Sequence, residues 1–184
     1  MRIGIDIDDT ITNTWEFFMP LLSKKYNVSI EKLKNGPPYY DAVKDIVTME
    51  EYIDMVKKSE DLLLKIELKP NVIDVLTKLK QEGHTIVFIT ARCDEYNDPY
   101  ELTKNYLDKY NVPYDKIIVR ALEKEKVCIE EKINLFIDDS INNCQKVRQA
   151  GIDVLLMKTN FNKSNKEFIH MKDWNQVYDY INGR

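Results

Sequence analysis

Five short apolar runs punctuate the chain, at residues 2–7, 85–90, 116–120, 134–137 and 152–157. Ile86-Val87-Phe88-Ile89 and Leu135-Phe136-Ile137 are apolar at consecutive positions, the pattern of strands buried on both faces of a sheet. Between the runs, apolar residues recur at helical spacing. Val72, Ile73, Leu76 and Leu79 form such a stripe between Pro70 and Gly83, with proline opening the helix and glycine past its end. A second helix is expected over residues 99–110. A third is expected from Ser140, a good N-cap, to Gly151, with Cys144 and Val147 turned inward. Residues 173–181 form a last amphipathic pattern. Strands alternating with helices imply βαβ crossovers. The predicted class is α/β, a doubly wound, mostly parallel, five-stranded sheet of Rossmann type.

One stretch breaks the alternation. No strand pattern occurs between Thr14 and Leu68. Trp15, Phe18, Leu22 and Tyr26 sit at helical spacing, residues 49–64 read as helical, and Gly36-Pro37-Pro38 is a turn between them. Residues 15–68 are too many for a loop, so a helical insert is expected after the first strand.

Hydrophobic residues make up 43% of the 184 residues, enough for a real core, and charged residues 32%. The net charge of -4, with both signs scattered, argues against non-specific nucleic-acid binding, which needs a basic face. No segment is long and apolar enough to span a bilayer. The first residues turn acidic too soon for a signal peptide. Cys93, Cys128 and Cys144 lack paired spacing and are expected to be reduced thiols in a cytoplasmic protein. His84 and His170 give a histidine-based mechanism little material.

The chemistry gathers at strand ends. The first strand runs into Asp6-Ile7-Asp8-Asp9-Thr10, and the fourth into Asp138-Asp139. In an open parallel sheet, ligands bind beyond the carboxyl ends of the strands, where the strand order reverses. Two carboxylates about 4 Å apart repel by roughly 4 kcal/mol at an effective dielectric near 20. Converging carboxylates therefore favour a divalent cation, and hard oxygen donors select magnesium over zinc. Singly, Asp9 or Asp139 reads as a loop residue capping the next helix, and Thr10 as an N-cap; two clusters at two strand ends read as a site. The strand at 85–90 leads into Thr90-Ala91-Arg92, where a hydroxyl can donate to a phosphoryl oxygen and Arg92 can pair with an anion. A lysine from Lys124, Lys126 or Lys132 can reach in and balance charge, although Glu123-Lys124-Glu125-Lys126 also reads as a solvated helix face.

These motifs together resemble the haloacid dehalogenase superfamily of phosphohydrolases. Asp6-Ile7-Asp8-Asp9-Thr10 matches its DxDxT first motif, Thr90 its second, a lysine near Lys124 its third and Asp138-Asp139 its acidic fourth, all in order. Within it, the chain is similar to the 5'(3')-deoxyribonucleotidase branch, on the DIDDT start, the size of the insert, Ile89-Thr90-Ala91-Arg92 and Phe136-Ile137-Asp138-Asp139-Ser140. Ala91-Arg92 after Thr90 departs from the better-known animal members, which bears on the substrate rather than on the chemistry. The resemblance implies a core of residues 1–14 and 69–184 under a helical cap of residues 15–68. It implies a magnesium-dependent phosphomonoester hydrolase working through an aspartyl-phosphate. Asp6 would be the nucleophile and Asp8 the general acid and base. Thr90 and a lysine would hold the phosphoryl group. Lys124 is favoured because it lies at the start of its helix. Magnesium would be held by Asp6, the Asp8 carbonyl and Asp138, with Asp139 and Thr10 behind them. Ala91, Arg92, Tyr39 and Tyr40 are the candidate substrate contacts, and a nucleoside monophosphate is the expected substrate. Two other readings stay open: a phosphatase of another small metabolite such as a sugar phosphate, and a non-catalytic phosphate-binding module. The latter predicts a broken acid–base pair, whereas Asp6 and Asp8 are both present.

Overall fold

The computed structural model describes residues 1–183. Its strands are β1 (Arg2–Ile5), β2 (Thr85–Ile89), β3 (Lys116–Ile118), β4 (Leu135–Asp138), β5 (Asp153–Met157) and β6 (His170–Met171). They form one sheet in the order β3-β2-β1-β4-β5-β6, with every pairing parallel. The sheet thus has six strands rather than the expected five. The extra strand pairs Leu156 with His170 and Met157 with Met171. Two residues are too few to impress a period on a sequence.

The helices are α1 (Thr14–Tyr26), α2 (Ile30–Asn35), α3 (Met49–Lys58), α4 (Glu60–Leu63), α5 (Val72–Gln81), α6 (Pro99–Lys109), α7 (Lys124–Glu130), α8 (Ile141–Gln149) and α9 (Trp174–Asn182), with a 3-10 turn at Tyr39–Ala42. Two expectations change. Residues 49–64 form two helices, because Ser59 leaves helical geometry at φ -114°, ψ 9°. Pro70 does not open α5, since Asn71 takes a left-handed turn (φ 65°) before the helix begins at Val72. Ser140 does cap α8, accepting from the Asn143 N–H, and Gly83 and Gly151 carry the left-handed turns after α5 and α8.

Alternate strand residues face opposite sides of the sheet. Ile3, Ile5, Phe88 and Ile137 pack on α5, α6 and α9, while Val87, Ile89 and Phe136 pack with Cys128 of α7 and Val147 of α8. Gly4 points to the second side. A Cβ there would lie 3.0 Å from Phe136 and 3.1 Å from Ile89, so its hydrogen lets those side chains meet across β1. The segment between β1 and α5 has its own apolar cluster, which includes Trp15, Met19, Leu22 and Leu33. Its two connections run side by side. Thr12 and Leu68 form an antiparallel bridge, and the Lys69 N–H donates to the Ile11 carbonyl at 2.8 Å. No helix among the described residues is long and apolar enough to cross a membrane.

Candidate active site

The register of the sheet builds the site. Ile5 is level with Ile137, so Asp6, one residue on, comes beside Asp138; the Asp6 N–H donates to the Ile137 carbonyl at 2.9 Å. On the other flank, Ile5 is level with Phe88, which brings the end of β2 and Thr90 alongside. Strand order reverses around β1, so this is the switch-point crevice of an open parallel sheet.

Asp6, Asp138 and Asp139 are buried, with carboxylate oxygens within 4.8 Å of one another. Lys124, the first residue of α7, extends its ammonium to 2.6 Å from Asp6 Oδ1 and 2.8 Å from Asp138 Oδ2, and is only 3% exposed. Lys126 instead pairs at the surface with Glu123, and Lys132 is exposed. Asp138 also accepts from the Ser140 N–H at 2.7 Å and the Asn143 amide at 3.0 Å. The Thr10 hydroxyl lies 3.2 Å from Asp139 and 3.5 Å from Asp6, and so serves the carboxylates instead of capping a helix. With all three ionised, three carboxylates against one ammonium would leave two negative charges uncompensated in a buried space. That excess shows in the titration. Burial pushes the Asp6 carboxyl up to about 7 despite the pull of Lys124. Burial, with the charges of Asp138, Asp9 and Asp6, raises Asp139 well above the usual range. A hard divalent cation fits this donor set in both charge and chemistry.

Asp8 lies in a different environment. Arg92 grips it with two bonds, Nε at 2.9 Å and the second nitrogen at 2.8 Å, and the Thr14 hydroxyl donates to it at 2.8 Å. Burial raises the Asp8 carboxyl, but the charge and hydrogen bonds of Arg92 outweigh it and hold the group below the ordinary carboxylate value. Arg92 is itself buried, and its guanidinium lies 5.8 Å over the Tyr106 ring with Thr103 in reach.

Asp9 turns away from this group. Its carboxylate accepts from the Trp15 N–H in the first turn of α1 and from the Tyr39 hydroxyl. Asp9 and Tyr39 both adopt left-handed backbone, φ 58° and φ 59°, a strained conformation for a tyrosine. The Lys69 ammonium reaches the Asp9 carbonyl, so the start and end of the helical segment meet at one residue.

Above the carboxylates opens a cavity of about 690 Å³. Thr90, Ala91, Arg92 and Tyr39 line it together with Asp6, Asp8, Lys124 and Asp138. The Thr90 Oγ accepts from the Arg92 N–H at 3.4 Å, a local turn contact. Tyr40 is not on the lining; its ring packs 5.5 Å from that of Tyr52, which is. Sequence reasoning missed Thr14, Asn143 and Asn162. Asn162 donates to the carbonyls of Asp139 and Met157 and so fixes the loop after β4. It also missed the wall formed by Met49, Tyr52, Ile53 and Val56, a stripe at helical spacing on α3 that faces the cavity instead of a core.

A family model described as 5' nucleotidase, deoxy (pyrimidine), cytosolic type C protein matches residues 1–184. A nucleotidase of Clostridium acetobutylicum is 33% identical over 186 residues, covering 98% of this chain and 93% of that protein. In fold, the chain resembles a Clostridium acetobutylicum structure described as a predicted phosphatase, with a TM-score of 0.73 at 15% identity over 100% of this chain and 98% of the other. A haloacid dehalogenase-like family hydrolase from Streptococcus pneumoniae gives a TM-score of 0.66 at 15% identity over 98% and 97%.

Proposed function

Since the chain belongs to the cytosolic type C family of 5' nucleotidases, and is thereby a phosphoric monoester hydrolase of haloacid dehalogenase fold, we propose that it dephosphorylates nucleoside monophosphates through an aspartyl-phosphate on Asp6. The observation that carries the substrate is the lining of the cavity. Its wall is apolar and aromatic, with Trp15, Phe18, Tyr52 and Phe161 among its members. Its two cations, Arg92 and Lys124, are already paired with aspartates. Such a wall suits the neutral, flat heterocycle of a leaving nucleoside better than a bare sugar, whose hydroxyls all need polar partners.

In this mechanism Asp6 Oδ attacks phosphorus as the bond to the leaving oxygen breaks, and Asp8 delivers a proton to that oxygen. Asp8, now a carboxylate, takes a proton from water. The water oxygen attacks phosphorus, the bond to Asp6 breaks, and inorganic phosphate leaves. The proton returns to Asp8, so the cycle balances. Thr90 and Lys124 orient the phosphoryl oxygens, because positioning and charge stabilisation do most of the work in phosphoryl transfer. Asp6, Asp138 and the Asp8 carbonyl would hold magnesium, with Asp139 near enough to join directly or through water. Bound there, the ion would neutralise charge on the phosphoryl oxygens. We take residues 15–68 as a cap on a core of residues 1–14 and 69–184. It closes on the paired connections at Thr12 and Leu68 and excludes water from the intermediate.

The test is phosphate release from ribo- and deoxyribonucleotides and sugar phosphates, with magnesium and with EDTA. Magnesium-dependent turnover concentrated on nucleoside monophosphates is the expected result. Turnover spread over sugar phosphates would retain the Asp6 chemistry and discard the substrate. Asp6→Asn should abolish turnover and leave the fold intact; a substantially active variant would discard the nucleophile.

A further inference from the structure

Away from the carboxylates, polar side chains interrupt the apolar wall, Glu95, Tyr96 and Tyr52 among them. Glu95 and Tyr96 follow β2, and Tyr52 projects from α3; all three line the cavity. Glu95 is half-buried and has the Cys93 thiol as a hydrogen-bond neighbour, at 2.7 Å. No lysine, arginine or histidine among the described residues pairs with it, since Arg92 and Lys124 are held by Asp8 and by Asp6 with Asp138. A carboxylate with no cation beside it keeps acceptor capacity for a ligand's N–H donors.

The two phenols line the same cavity. Burial raises both, and the charges of Glu95 and Asp8 raise them further, so each stays a protonated donor within electrostatic reach of both acids. Neither phenol oxygen is bonded to another described side chain, and Tyr52 is steadied by its ring contact with Tyr40. One strong acceptor and two hydroxyls therefore face a largely apolar cavity.

We propose that Glu95, with the Tyr52 and Tyr96 hydroxyls, is a base-reading subsite in which the carboxylate accepts from N–H donors of the leaving nucleoside's heterocycle and the phenols bond its ring acceptors. The proposal rests on the nucleotidase reading. It assigns selectivity to residues remote from the phosphorus, so their contribution belongs to ground-state and transition-state binding alike and falls on KM.

The experiment compares kcat/KM for a panel of deoxynucleoside monophosphates with that for p-nitrophenyl phosphate, an aromatic ester with no N–H donor. It is run on the wild type, Glu95→Ala, Glu95→Gln and Tyr96→Phe. A hydrogen bond to a charged acceptor predicts that Glu95→Ala lowers the nucleotide-to-nitrophenyl ratio by about 10- to 100-fold, mainly through KM. Glu95→Gln, which keeps an acceptor carbonyl, should lie between that variant and the wild type, and Tyr96→Phe should lower the ratio less. A ratio unchanged in Glu95→Ala, with the wild type active on nucleotides, overturns the subsite and leaves the nucleotidase reading standing. A wild type that hydrolyses sugar phosphates and not nucleotides overturns both.

Discussion

In the resting site Asp8 accepts two bonds from Arg92 and one from Thr14, and so rests as a carboxylate. That state suits the proposed water step, in which Asp8 would act as base. In the proposed mechanism its turn as acid needs a proton that Arg92 disfavours, so the guanidinium would set the pH above which leaving-group protonation fails. Arg92→Met should therefore let Asp8 keep its proton to higher pH and move the alkaline limb of the kcat/KM profile upward. An unmoved limb would show that another group supplies the proton. The variant should also lose about 3 kcal/mol or more of stability, because breaking a buried pair from one side leaves a bare charge, measurable by urea denaturation. At this scale the sequence was readable where chemistry coincides with strand ends. Asp6, Asp8, Asp138 and Asp139 stand at such ends, and Thr90 just past one. The partner of Arg92 was not readable, because Asp8 is 84 residues away and only the register of β1 against β2 brings them together.

Among the elements, α3 is amphipathic yet buries none of its residues, since its apolar stripe lines the cavity. Its inward contacts are few, chiefly Met55 against the Trp15 and Leu22 cluster, so its ends matter to it. Thr48 and Glu51 form a reciprocal cap, the Thr48 hydroxyl accepting at 3.2 Å and the Glu51 carboxylate at 2.8 Å. Thr48→Ala should cost about 1 kcal/mol. Because the frayed turn carries Met49 and Tyr52, KM should rise more than kcat falls. A steady-state comparison in which kcat alone dropped would show that α3 acts in the chemistry and not in binding. Periodicity revealed α3 as a helix but not what its stripe faces, because a helix packed on a core and one walling a cavity show the same spacing. The five longer strands were readable from consecutive apolar residues, whereas β6 depends wholly on β5 for its definition.

For the whole molecule, the acidic centre couples stability to pH and metal. The Asp6 carboxyl is raised from 3.8 to about 7, so between those values the folded, metal-free chain holds a proton that the unfolded chain releases. Stability from this group is therefore full below the lower value and is lost as pH climbs through the upper one, and Asp139 acts in the same sense. A divalent ion needs the carboxylates deprotonated, so its stabilising effect grows over the same window. The rise in melting temperature on replacing EDTA with magnesium should be larger at pH 7.5 than at pH 5. An equal rise at both would mean that the ion binds elsewhere. The cavity wall on α3 carries a different consequence, for descent rather than for folding. Asp6, Asp8 and Lys124 are set by the sheet and its flanking helices, where most substitutions disturb a packed interior. Met49, Ile53 and Val56 face the cavity from a helix with no buried residue, so exchanging them removes little from that interior. Lineages can therefore drift at these positions and acquire new selectivities while inheriting the same reaction unchanged.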